Sequence, residues 1–105
     1  MAVITAPGKE SWVVARRGFD LLIERAQAQL SDQPNLAKRL TVAKALDGLH
    51  LGEIPSDDCT SIIEALEIAI NELLAELKAQ PQDQVVTSYS ALLNELRERL
   101  RDDKP

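Results

Sequence analysis

A chain of 105 residues with 45% apolar side chains, a net charge of −5 and one cysteine fits one domain with one core and excludes a disulfide framework. Its only aromatics are Trp12, Phe19 and Tyr89, too few for a base-stacking surface on single-stranded nucleic acid. No apolar run approaches the roughly 20 residues of a membrane span, and the opening residues lack the basic start and apolar run of a secretory signal, so neither is expected.

The spacing predicts a first helix over 10–30, between the break at Pro7-Gly8 and the polar run Ser31 to Pro34. Trp12, Ala15, Phe19, Leu22, Ile23, Ala26 and Leu30 recur at helical intervals and form one apolar face. Val14, Leu21 and Ala28 make a second stripe on the opposite side, a candidate dimer interface. Gly18, inside this helix, either admits a close neighbour or is merely tolerated.

A shorter second helix is expected from Pro34 or Asn35 to Asp47, burying Leu36, Leu40, Ala43 and Leu46. Gly48 would stop it, because glycine accepts the left-handed conformation found past helix ends. Residues 49–55 carry no helical period and read as an extended crossover loop. Ser56 is placed as the N-cap of a third helix, with Asp57 and Asp58 in its first turn, where the helix dipole favours anions. Its core stripe is Cys59, Ile62, Ile63, Leu66, Ala69, Ile70, Leu73, Leu74 and Leu77, which leaves Ile68 on the outer side.

Pro81 separates this helix from a fourth, over 83–101, with Val85, Val86, Tyr89, Leu92, Leu93, Leu96 and Leu100 facing inward. Glu95 and Arg99 stand at the i,i+4 spacing of a helical ion pair. The expected fold is therefore all-α: an antiparallel four-helix bundle with a short second helix and frayed ends at 1–9 and 102–105. No strand and no internal repeat is expected.

Charge is spread unevenly. Residues 1–52 hold seven Lys/Arg and five Asp/Glu, while 53–105 hold five Lys/Arg and twelve Asp/Glu. Between Glu53 and Glu76 stand seven carboxylates and no basic residue. A one-signed field on a helix favours cationic partners and repels nucleic acid and anionic membrane.

Catalytic chemistry has little to stand on. His50, Glu53 and Cys59, with Asp57 and Asp58, gather near the crossover loop, and such side chains can ligate a transition metal. No diagnostic ligand spacing joins them, and a surface histidine beside helix-capping acids is the plainer reading. Cys59 at a helix start would be activated by the dipole, yet its like-charged neighbours and its place on the apolar stripe favour a structural thiol. The paired glutamates Glu64/Glu67 and Glu72/Glu76 face solvent by their period, whereas acid–base pairs need a cleft.

The expected role is a non-catalytic, cofactor-free cytoplasmic protein-binding domain, in the manner of an inhibitor, immunity or adaptor protein. Glu64, Glu67, Glu72, Glu76 and Ile68 are the residues expected to meet a basic protein surface. Two alternatives stand beside it. One is a homo-oligomeric structural bundle. The other is a small metal- or ligand-binding bundle, or an enzyme, built on the loop around His50.

Overall fold

A computed structural model describes residues 1–6 and 11–102. Among the described residues four helices dominate: α1 (Arg16–Gln29), α2 (Pro34–Leu46), α3 (Ser56–Lys78) and α4 (Gln84–Asp102). Three short strands accompany them: β1 (Ala2–Thr5), β2 (Trp12–Val14) and β3 (Gly48–His50). A single 3-10 turn, Leu51–Glu53, leads from β3 toward α3.

The strands correct the all-α expectation. They form one sheet in the order β2-β1-β3, with β1 antiparallel to β2 and parallel to β3. Ile4 lies opposite both Trp12 and Leu49. Ala2, Ile4, Trp12, Val14 and Leu49 are buried, while Val13 points outward. Each strand has only three or four residues, too few for alternation to stand out against a helical period. Trp12 and Phe19 keep helical spacing, yet Ala15 between them is extended at ψ 143° and the helix starts only at Arg16. Far from fraying, Ala2–Thr5 supply the central strand. The Pro7-Gly8 break and the predicted start at Glu10 lie outside the described residues, as do residues 103–105 of the predicted C-terminal fray. The crossover loop is likewise corrected, since its first residues pair with β1.

The helices bury the expected stripes with particular exceptions. α1 buries Phe19, Leu22, Ile23 and Ala26. Val14 is not on this helix; it is a buried strand residue, so the second stripe reduces to exposed Leu21 and Ala28. α2 buries Leu36, Leu40 and Ala43, but Leu46 is 74% exposed because the chain turns away there. The turn is made by Asp47, at φ 55°, and not by Gly48. Aspartate tolerates this left-handed conformation, and its carbonyl accepts the amide of Val3 at 3.1 Å, fastening β1 to the helix end. Gly48 is thereby free to begin β3.

α3 begins at Ser56 with Pro55 in the cap position, so Ser56 is the first helical residue and makes no side-chain cap bond. Asp57 and Asp58 do occupy the first turn. α4 is capped by Asp83, whose Oδ1 accepts the Val86 amide at 2.9 Å. Val86, Leu93, Leu96 and Leu100 are buried, whereas Val85 is 77% exposed, one residue off the inward face.

α1 lies between α2 and α3 and runs antiparallel to both. Glu24 reaches Lys44 and Gln27 reaches Thr41 on α2, while Arg25 reaches Glu76 and Gln29 reaches Glu72 on α3. α4 packs on α3. Buried side chains from sheet and helices form one continuous cluster. Two hydrogen bonds tie α4 to the N-terminal part of the chain: Trp12 Nε1 donates to the Leu92 carbonyl at 2.8 Å, and the Tyr89 hydroxyl donates to the Gly18 carbonyl at 2.7 Å.

Candidate protein-binding surface

α3 carries six of the seven carboxylates between Glu53 and Glu76, and the fold sorts them into three kinds. Asp57 and Asp58 sit at the helix start, where the dipole already accounts for them. Glu72 and Glu76 are gripped from α1. Arg25 forks onto Glu76, with Nη2 at 2.7 Å from Oε1, and its Nη1 stands 3.5 Å from Glu72. Gln29 Nε2 donates to the Glu72 carboxylate at 3.2 Å. The hydrogen bonds from Arg25 hold the Glu76 carboxyl below its ordinary range, and the same contacts raise the guanidinium. These two glutamates fasten α1 to α3, and the single positive charge of Arg25 answers one of their two negative charges. Glu67 is half-buried and already engaged.

Glu64 is the third kind. It is exposed and, among the described residues, has no ion-pair partner. One turn further on, Ile68 is 45% exposed. Asp57, Glu64, Ile68 and Ala75 follow each other at intervals of seven, four and seven, so they form a single outward ridge along α3. Of the five residues expected to meet a partner, the structure leaves Glu64 and Ile68 available and commits Glu72 and Glu76 to the fold.

Sequence reasoning missed the basic groups beside this ridge. Arg97 of α4 reaches across to α3, where its Nη1 donates to Asn71 Oδ1 at 2.9 Å and its Nη2 to Asn94 Oδ1 at 2.7 Å. Both acceptors are neutral amides, and the guanidinium Nε is buried with no acceptor among the described residues. The i,i+3 spacing of Asn94 and Arg97 was the only sequence signal, since Asn71 is distant in the chain. Lys78 stands exposed at the last turn of α3. The expected Glu95–Arg99 pair forms at 2.6 Å.

The residues around the crossover loop do not converge. His50 is exposed at the end of β3, and its imidazole turns back over Gly48, with Nε2 only 3.4 Å from where a Cβ would stand. Glu53 is exposed on the 3-10 turn, and Cys59 is half-buried against the core and already engaged. No group of three or more His, Cys, Asp or Glu able to hold a metal occurs among the described residues. Leu21, from the proposed dimer stripe, is exposed one helical turn before Arg25 and so borders the clamp on Glu72 and Glu76. No described helix is long and apolar enough to cross a membrane. Comparison with family models, with curated proteins and with solved structures finds no match for this chain.

Proposed function

We propose that this chain is a non-catalytic protein-binding domain whose binding face is the outer ridge of α3, and that it recognises a cationic protein surface. The observation that carries the reading is Glu64 beside Ile68: a carboxylate unanswered within the described structure, next to an exposed aliphatic side chain on a rigid helix. Such a pair supplies both halves of a recognition site, since charge steers the encounter and apolar contact holds the complex. The clamped glutamates Glu72 and Glu76 set the rigid border of the face. A single half-buried cysteine suits a reducing compartment such as the cytoplasm.

Binding kinetics with a basic protein partner test this reading. Glu64→Lys should lower the association rate by about tenfold at low salt and flatten its salt dependence, leaving helix content unchanged. An unchanged rate and salt dependence would mean that the α3 carboxylates merely keep the helix hydrated.

A further inference from the structure

The α3 ridge carries both signs of charge, disposed about one residue. Asp57 and Glu64 lie eleven and four residues before Ile68. Asn71 and Lys78 lie three and ten residues after it. Asn71 in turn holds the Arg97 guanidinium at the exposed seam between α3 and α4. Acidic groups thus mark the N-terminal half of this face, while Lys78 and Arg97 bring basic groups to its C-terminal half, beside the clamped Glu72 and Glu76. With a rise of about 1.5 Å per residue, Glu64 and Asn71 stand about 6 and about 4.5 Å either side of the centre, and Asp57 and Lys78 about 16.5 and about 15 Å.

A face of this kind is complementary to itself under a two-fold axis, the commonest symmetry of soluble oligomers. Two such helices laid antiparallel, Ile68 against Ile68, place Glu64 of each copy opposite Asn71 and Arg97 of the other. They also place Asp57 of each opposite Lys78 of the other. We infer that the occupant of this ridge is a second copy of this chain, docked antiparallel along α3 as a two-fold, charge-paired dimer. The inference rests on the reading of the ridge as a binding face and adds the identity of what binds there. Charge complementarity carries it: among the described residues Arg97 bonds only neutral amides and is left able to take a carboxylate, and Glu64 is a carboxylate with no ion-pair partner there.

Sedimentation equilibrium of the purified chain at micromolar concentrations, at low and high salt, tests the dimer. The wild-type chain should dimerise, with the dissociation constant rising as salt rises. Glu64→Arg and Arg97→Glu should each weaken the dimer by roughly tenfold or more, because a two-fold axis counts each change twice. The decisive arm is a one-to-one mixture of the two variants. In the mixed dimer each arginine meets a glutamate at both contacts, so association should return although each variant alone associates only weakly. Ile68→Glu, at the axis, should abolish association and not be rescued by mixing. Circular dichroism checks that each variant keeps its helix content; should Arg97→Glu disturb the fold, Glu64→Arg and Ile68→Glu still decide. A wild-type chain that stays monomeric overturns the inference. So does a dimer indifferent to Ile68→Glu and Glu64→Arg, or a mixture that fails to associate when both variants are folded. A monomer whose binding to a foreign basic partner still falls with Glu64→Lys would remove the second copy and leave the binding-face reading standing.

Discussion

Gly18 shows how one missing methyl group can decide a helix contact. A Cβ there would stand 2.8 Å from Tyr89 Cε1 and 3.2 Å from Val14 Cγ2, so the aromatic ring of α4 lies directly on the backbone of α1. The two sequence readings of this glycine are thereby resolved in favour of close approach. The ring cannot easily retreat, because its hydroxyl is tied to the Gly18 carbonyl itself. Gly18→Ala should gain up to about 1 kcal/mol of helix propensity and lose about 1–3 kcal/mol to overpacking, for a net loss in urea unfolding. In a Tyr89→Ala background the same substitution should lose most of its cost. Burial also pushes the Tyr89 phenol up to about 12. The unfolded chain ionises first, near pH 10, so this contribution is whole below about pH 10 and is lost as the pH rises toward 12. As Tyr89 is the one tyrosine, phenolate absorbance reads it alone, and its midpoint should lie well above that of the unfolded chain.

At the scale of the element, the long helices were legible and the short strands were not. The stripe of α3 recurs often enough that helical period alone separates Leu66, fully buried, from Ile68, two positions on and exposed. Leu66→Ala or Leu73→Ala should therefore cost about 2–5 kcal/mol in chemical denaturation. Ile68→Ala should cost under about 0.5 kcal/mol when measured at concentrations that keep the chain monomeric. β2 offered only Trp12, Val13 and Val14, and its pairing partner begins ten residues earlier, so nothing local marks it as a strand. β3 is set by Asp47, whose backbone takes the left-handed conformation usually left to glycine. Element ends went astray for the same reason: Val85, Leu46 and Ser56 each stand within two residues of a helix boundary, where period ceases to determine direction.

For the whole molecule, the acidic half was legible as a sum of charges but not as a surface. Sequence counts seven carboxylates from Glu53 to Glu76 alike. The fold brings Arg25 from the first half of the chain onto two of them and leaves Glu64 exposed. Arg97 reaches the same helix from the other side. None of these distances can be read from spacing, because each pair is joined only by the antiparallel packing of its helices.

The parallel pairing of β1 with β3 also bears on the order of assembly. β1 precedes every other described element, yet one of its two neighbours lies over forty residues downstream, beyond both α1 and α2. Closing so long a loop costs entropy that only contacts made elsewhere can offset. β1 therefore waits for α1 and α2 to follow it before its pairing is complete, and until Gly48–His50 arrives it presents an open edge along which other chains can align.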